Sequence, residues 1–125
     1  MAAFKFNPIL DTNYLFDLYG EDIEYAKEMF EIFFESTAIE FPDIENYLSD
    51  GNTSDAKSLV HKLKPSFHMV GLRQIGDEMQ LIENLLEEEK LEEARPIFDG
   101  IRSKVSQSLD LLNEELQRMK SHLDQ

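Results

Sequence analysis

Apolar residues recur at intervals of three and four along almost the whole chain, and long alternating segments are missing. This spacing collects apolar side chains on one face of an α-helix, and it is typical of amphipathic helices rather than of strands. The 125 residues suffice for one domain with a buried core. The pattern therefore predicts an all-α fold in which helices bury their apolar faces against one another.

Turn and capping residues divide this pattern into five predicted helices. Asp11 or Thr12 can cap a short first helix, which Gly20 can end. The predicted helices span residues 13–19, 22–49, 53–70, 73–88 and 91–122. Four long helices with short links predict an antiparallel up-down-up-down four-helix bundle, with the short helix as an extra N-terminal element.

The chain is predicted to form a single domain over residues 1–125, with the bundle over about 11–120 and terminal extensions at 1–10 and 121–125. Two prolines fall inside predicted helices. Pro42 should kink the second helix near Ala38, because proline lacks the N–H that continues the helix. Pro96 should lie in the first turns of the last helix or bend it.

The charge of the chain disfavours two classes of partner. Twelve basic and 26 acidic residues give a net charge of −14, which repels phosphate backbones and anionic lipids. The sequence contains no cysteine, so disulfides, thiolate zinc sites and cysteine nucleophiles are excluded. It contains neither a signal-peptide pattern nor an apolar run of membrane-spanning length. We expect a complete, cytoplasmic chain without nucleic-acid or membrane partners.

Residues 56–76 differ from the rest because they contain no acidic residue. On a helix, the polar side chains Lys57, His61, Lys64 and His68 lie opposite the apolar face, whereas Lys62 points elsewhere. The result would be a positive stripe on a negative molecule. An exposed imidazole is nucleophilic near neutral pH, and flanking ammonium groups can stabilise phosphoryl oxygens.

The same histidine also fits plainer interpretations. An exposed histidine between lysines is often no more than a solvated surface, and the residues alone leave that alternative open. A two-histidine metal site is not expected, because His61 and His68 lie seven residues apart, or roughly 10.5 Å along a helix. Metal-binding pairs on helices are favoured at a spacing of four residues.

At these residues the sequence resembles the histidine-containing phosphotransfer (HPt) domains of multistep phosphorelays. The family signature is His, any residue, Leu, Lys, Gly, Ser, and then a Gly about ten residues after the His. The residues that match in register are His61, Leu63, Lys64, Ser66 and Gly71. Leu72, Ile75 and the pair Ile82-Glu83 fit the continuation, so that the resemblance spans about residues 10–120.

The resemblance implies that His61 is the phosphoacceptor and that Lys64 stabilises the phosphoryl group. Lys57 has no counterpart in the motif, and its candidacy for charge stabilisation depends on the helical face alone. Pro65 replaces the family's glycine and should bend the helix or deprive the His61 carbonyl of its donor. Phe67, at a position where the family often has a small residue, is expected in the core.

The resemblance further implies a stoichiometric phosphocarrier rather than an enzyme. The phosphoryl group would pass from an aspartyl-phosphate on a receiver domain to His61, and then to another receiver domain. The partners would be receiver domains of response regulators or hybrid histidine kinases. No cofactor is expected on this chain, because Mg²⁺ would belong to the receiver, and a monomer is the simplest state. The alternative is a helical adaptor whose histidine is never phosphorylated.

A docking surface is also predicted. Tyr25, Ile32 and Ile39 repeat every seven residues, opposite the main apolar face of the second helix. They either form an exposed patch or pack under the first helix, whose Tyr14, Leu15 and Leu18 could cover the patch or extend it. The predicted partner-binding residues are Tyr14, Leu18, Tyr25, Ile32, Lys57, Lys64 and His68.

Overall fold

The computed structural model describes residues 3–125, and every secondary-structure element in that range is helical. The all-α prediction is therefore confirmed. Helix α1 is Thr12–Tyr19, α3 is Thr53–Met69, α4 is Arg73–Glu87 and α5 is Leu91–Leu123. Helix α2 consists of four consecutive segments, which are Ile23–Ile32, Phe33–Thr37, Ala38–Glu40 and Pro42–Ser49. The predicted bounds differ from these by one residue at most.

Side-chain caps explain where the first three helices begin. Asp11 accepts a hydrogen bond from the backbone N–H of Tyr14, which makes Asp11 the cap of α1 and Thr12 its first helical residue. At the start of α2, Asp22 accepts from the N–H of Tyr25 at 3.0 Å. Each cap satisfies a backbone donor that has no partner within its helix. The cap of α3, Asn52, does the same for Asp55.

The irregular part of α2 was only partly predicted. The segment Phe33–Thr37 is a π turn, which lies just before Ala38, where the sequence predicted a kink. Pro42 begins the following segment, a position at which its missing N–H costs little. Phe41 still donates its N–H to the Thr37 carbonyl at 2.9 Å, so the chain stays helical up to the proline. The spacing of apolar residues gave no sign of the π turn.

Aromatic side chains fill the centre of the core. The ring of Phe67 on α3 lies 5.6 Å from that of Phe33 and 5.7 Å from that of Phe41. Phe41 in turn contacts Phe98 of α5, with ring centroids 5.2 Å apart. Burying each phenylalanine side chain contributes about 1.5–3 kcal/mol to the free energy of unfolding. The prediction that Phe67 lies in the core is confirmed.

The N-terminal segment packs against the bundle. Phe6 stacks on Phe30 with ring centroids 6.0 Å apart. The N–H of Asn7 donates to Glu115, a carboxylate that is only 1% exposed. Arg118 donates to the Lys5 carbonyl at 2.8 Å. None of the helices within residues 3–125 combines the length and the apolar character needed to cross a membrane.

Helix α1 is fastened to the turn between α3 and α4. Gly71 in that turn has φ +81°, a left-handed conformation that L side chains rarely adopt. Its carbonyl accepts from the N–H of Asp11 at 2.9 Å, and a Cβ at position 71 would lie 2.8 Å from the Cβ of Leu10. The hydroxyl of Tyr19 donates to the Met69 carbonyl at 2.6 Å. The C-terminal end of α3 is thus held by backbone contacts.

Candidate functional site

His61 lies midway along α3, and its side chain is 71% exposed. Its Nδ1 atom is 2.9 Å from Oε1 of Glu83 on the neighbouring helix α4. An ionised carboxylate can only accept hydrogen bonds, so Nδ1 carries the hydrogen. The neutral ring then has its lone pair on Nε2. The exposed imidazole therefore offers Nε2 as a nucleophile.

Glu83 is the side chain on which the site is organised. The same oxygen, Oε1, accepts from His61 and from Lys64, whose Nζ atom is 3.2 Å away. Partial burial of Glu83 favours its neutral form, but the hydrogen bonds from His61 and Lys64 outweigh this effect and lower the pKa of the carboxyl. Glu83 is therefore ionised near neutral pH, which supports the assignment of the hydrogen to Nδ1.

Lys64 is largely covered, and it is held next to the imidazole through the shared Glu83 oxygen. Its ammonium group also donates to Oε1 of Gln80, and the amide of Gln80 donates to Asn84 at 2.9 Å. These contacts orient a cation near His61 without exposing it fully.

The predicted positive stripe requires a correction. Lys57 forms an ion pair with Glu87 on α4, and Lys62 pairs with Glu40 on α2 at 2.8 Å. Lys64 contacts Glu83 in the same way. Each lysine near His61 is therefore balanced by a carboxylate from an adjacent helix. These carboxylates lie 19 to 30 residues away for α4 and 22 residues away for α2, so the local composition of residues 56–76 did not show them.

His68 does not share the exposed surface of His61, contrary to the prediction. Its side chain is 27% exposed, and its ring lies 6.0 Å from that of Tyr14 on α1. The imidazole occupies the space that a Cβ at Gly76 would take, and its Nε2 is 3.8 Å from Asp77. The two histidines of α3 thus have different surroundings: one is open to solvent and the other is packed against α1 and α4.

Pro65 is exposed one turn after His61, and α3 continues through it to Met69. The proline has no N–H for the His61 carbonyl, as predicted from its chemistry. Of the other motif residues, Leu63 is buried and Ser66 is half-buried. The helix ends as the motif implies, with the buried Gly71 in the turn that follows.

Of the seven residues predicted for docking, Tyr14, Tyr25 and Ile32 are exposed, and the other four are half-buried. Ile32 and Ile39 are 48% and 69% exposed, so neither of them packs under α1, whereas the ring of Tyr25 lies 5.2 Å from that of Tyr19 on α1. Tyr14 and Tyr25 are exposed as well, whereas Leu18 is half-buried and Leu15 is part of the core. The π turn lies between Ile32 and Ile39, so the seven-residue repeat does not run along a regular helix.

Three side chains of the site were not assigned from the sequence. Glu83 was noted only as part of the motif, and neither Gln80 nor Glu87 was predicted to belong to the site. Their spacing of three and four places them on one face of α4, and this spacing is the signal that could have found them. Within residues 3–125, no group of three or more His, Cys, Asp or Glu side chains has a metal-binding arrangement.

Comparisons with known proteins identify the family. A family model described as the Hpt domain matches residues 28–124, a stretch that includes α3, α4 and the site around His61. Searches of curated proteins and of solved structures gave no match. Hpt domains act as phosphocarriers in phosphorelays and interact with receiver domains. Because the match covers most of the chain, we conclude that this protein belongs to the Hpt-domain family.

Proposed function

We propose that this protein is a phosphorelay intermediate that accepts a phosphoryl group on Nε2 of His61. The donor is the aspartyl-phosphate of one receiver domain, and the acceptor is the aspartate of another. The observation that carries the proposal is the exposed imidazole whose Nδ1 is held by the ionised Glu83. This contact leaves the second ring nitrogen free to react.

The transfer step follows from this arrangement. The Nε2 lone pair attacks phosphorus as the bond between phosphorus and the aspartyl oxygen breaks, and the receiver's carboxylate leaves as an anion. The phosphorylated ring keeps its hydrogen on Nδ1 and gains positive character, which the negative charge of Glu83 stabilises. The reverse step returns the phosphoryl group to a receiver aspartate. Neither transfer step consumes a further reactant.

Two lysines are proposed to stabilise the transferred group. Lys64 shares the Glu83 oxygen with His61, so its ammonium is held next to the imidazole and would turn from Glu83 toward Nε2 to reach a phosphoryl oxygen. Lys57 lies one turn before His61 and would have to leave Glu87 to do the same. We therefore rank Lys64 before Lys57. Leu63, Ser66 and Gly71 would support the helix, and Pro65 would be a tolerated variation at the family's glycine position.

The proposed docking face lies between α2 and α3. The Lys62–Glu40 ion pair joins α2, just after the π turn, to the residue that follows His61, and the Phe33–Phe67 contact joins the start of the π turn to a point farther along α3. Ile39 precedes Glu40 and Ile32 precedes Phe33, so the two isoleucines are arranged along α3 in the same order as these two contacts. A receiver that reaches Nε2 would cover them, and it would extend toward Tyr25, Tyr14, Leu18 and His68. Exposed apolar side chains of this kind suit a transient interface.

The architecture suits this role. We infer an antiparallel up-down-up-down bundle, because three-residue links join α2 to α3, α3 to α4, and α4 to α5, with α1 lying over one end. A single domain of this kind would hold the nucleophile rigidly and would need no cofactor of its own. The Mg²⁺ required for aspartyl-phosphate chemistry would be bound by the receiver. A cytoplasmic monomer is the corresponding state in the cell.

A transfer assay tests the proposal. The purified protein is incubated with radiolabelled phospho-receivers from the same organism and Mg²⁺, and His61→Gln and His68→Gln are run in parallel. We expect acid-labile label on the wild type and on His68→Gln, and none on His61→Gln. Equal labelling of His61→Gln would disprove the assignment of His61. If no receiver labels the wild type, while circular dichroism shows it folded, the helical adaptor becomes the better interpretation.

A further inference from the structure

Helix α2 is strongly and unevenly charged. Over its whole length, residues 23–49, it carries one basic residue, Lys27. It carries seven acidic residues, which are Glu24, Glu28, Glu31, Glu35, Glu40, Asp43 and Glu45. Four of the carboxylates have a cationic partner: Glu24 and Glu31 pair with Lys27, Glu40 pairs with Lys62, and Glu45 pairs with Arg102. Glu28, Glu35 and Asp43 form no ion pair within residues 3–125.

These three carboxylates border the exposed isoleucines. Glu28 precedes Ile32 by four residues, and Glu35 lies three residues after Ile32 and four before Ile39. Asp43 follows Ile39 by four residues. Side chains three or four apart are neighbours on a regular helix surface, as Glu28 and Ile32 are, and Glu35 lies in the π turn between the two isoleucines. All three acidic side chains are exposed, so the apolar surface has a border of negative charge that the chain itself does not neutralise.

A docked partner has to meet this charge. Covering Ile32 and Ile39 brings a second surface close to the three carboxylates, well within the Debye length of about 8–10 Å at physiological salt. An acidic or neutral surface would desolvate the carboxylates without compensation, or repel them. A surface with lysine or arginine around an apolar centre would attract them and increase the rate of association.

We propose that Glu28, Glu35 and Asp43 select receiver domains whose contacting face carries basic side chains around an apolar centre. This inference rests on the proposed function, since it concerns the docking face next to His61. A second copy of this chain is the less suitable occupant, because it would bring the same acidic border and a net charge of −14 to the contact.

Two double variants with the same change in net charge test the proposal. Glu28→Lys/Glu35→Lys reverses charges at the border, and Asp110→Lys/Glu114→Lys reverses two exposed, unpaired carboxylates on α5. The probe is the receiver domain that labels the wild-type protein fastest in the transfer assay. The association rate is measured by stopped flow at low and high NaCl concentration, and circular dichroism confirms that both variants are folded.

We expect the border variant to associate more slowly at low salt, by on the order of tenfold, and to show a weaker salt dependence than the wild type. The α5 variant should stay within about twofold, since its charges lie outside the contact. Equal effects of the two variants would show that only net charge matters and would overturn the inference. Faster association of the border variant would also overturn it, because it would indicate an acidic partner face.

The outcomes separate this inference from the proposed function. If His61 is labelled and the border variant behaves as the α5 variant does, only the selection by charge fails. If no receiver labels the wild-type protein, the proposed function fails and the inference fails with it. A receiver with a basic face that labels the wild type, and that labels Glu28→Lys/Glu35→Lys more slowly at subsaturating concentration, would support both.

Discussion

The two halves of α3 are held in place in different ways. The middle of the helix, around His61, is exposed and is connected to α4 through side chains alone, with Glu83 contacting both His61 and Lys64. The C-terminal end is covered by α1, and backbone groups of Met69 and Gly71 are hydrogen-bonded to it. The middle of α3 exposes the His61 imidazole to solvent, and the contacts at its C-terminal end fix the position of the helix.

This difference predicts which substitutions should affect function and which should affect folding. Side-chain ties at the surface contribute little to stability, because solvent screens them. Buried backbone contacts and close packing contribute more, because no water replaces them when they are lost. We therefore expect changes near His61 to reduce transfer while the fold persists, and changes near Gly71 to reduce the free energy of unfolding while the transfer chemistry persists.

Gly71→Ala should have the largest effect. Its φ of +81° is unfavourable for alanine, and the new Cβ would approach Leu10 and Leu15 to within 3 Å. Strain and overpacking together should lower the free energy of unfolding by about 2–4 kcal/mol. Urea denaturation measures this loss, and Gly100→Ala is the control, since a Cβ at position 100 meets nothing and the helix should gain about 1 kcal/mol. A Gly71→Ala protein as stable as the wild type would show that the turn is not a fixed anchor.

Glu83→Gln should affect transfer more than folding. The amide keeps the size of the side chain but loses the charge that fixes the hydrogen on Nδ1 and stabilises the phosphorylated ring. We expect transfer to slow by about tenfold, by analogy with metal-bound histidines, whose hydrogen-bond partners have effects of roughly 10–100-fold. Glu78→Gln is the control, because Glu78 lies on the same helix but pairs with Lys104. A variant that transfers at the wild-type rate would remove Glu83 from its positioning role.

Two further measurements on Glu83→Gln separate positioning from simple support. The ¹⁵N chemical shifts of the His61 ring should show a loss of preference for the Nδ1–H form, which a purely structural role would not change.

The lowered pKa of Glu83 also fixes the sign of a pH effect on stability. The contribution of the ionised carboxylate is fully present above its ordinary pKa of 4.5 and is lost as the pH falls through the lower folded value. The stability difference between wild type and variant should shrink accordingly in acid.

The sequence predicted the helices well for a physical reason. Amphipathic spacing and capping residues are local signals, so the bounds of all five helices follow from residues close to them in the chain. His61 could be proposed from the sequence for a similar reason, because its motif lies within eleven residues of α3 and the following turn. Local patterns therefore sufficed for the elements and for the candidate nucleophile.

Contacts between helices could not be predicted in this way. The sequence predicted that the lysines around His61 form a positive stripe. This prediction was wrong because their partners, Glu40, Glu83 and Glu87, lie on other helices. His68 was predicted to be exposed for the same reason. Only the packing of α3 against α4 shows that its ring fills the space next to Gly76. The π turn of α2 has Phe33 and Thr37 buried at its two ends, and regular helical spacing does not predict it.

Tyr19→Phe should have a moderate effect at the anchored half of α3. Burial raises the pKa of the Tyr19 hydroxyl, which keeps it a neutral donor to the Met69 carbonyl. Removing the hydroxyl should lower the free energy of unfolding by about 1 kcal/mol. Tyr47→Phe is the control, since the Tyr47 hydroxyl forms no hydrogen bond within residues 3–125, and urea denaturation compares the two. Equal losses would mean that α1 is not fastened through this bond.

Gly76→Ala should have the smallest effect, although the space at Gly76 is filled by the His68 ring. That ring is the end of a flexible side chain and is already 27% exposed, so it can turn toward solvent. Alanine adds about 1 kcal/mol of helix propensity, which offsets the packing lost around the imidazole, and the net change should stay within about 0.5 kcal/mol. NMR should show the His68 resonances moving and those of His61 unchanged, with transfer at the wild-type rate. If transfer instead falls as far as in Glu83→Gln, the two halves of α3 are coupled, and the separation between chemistry and anchoring does not hold.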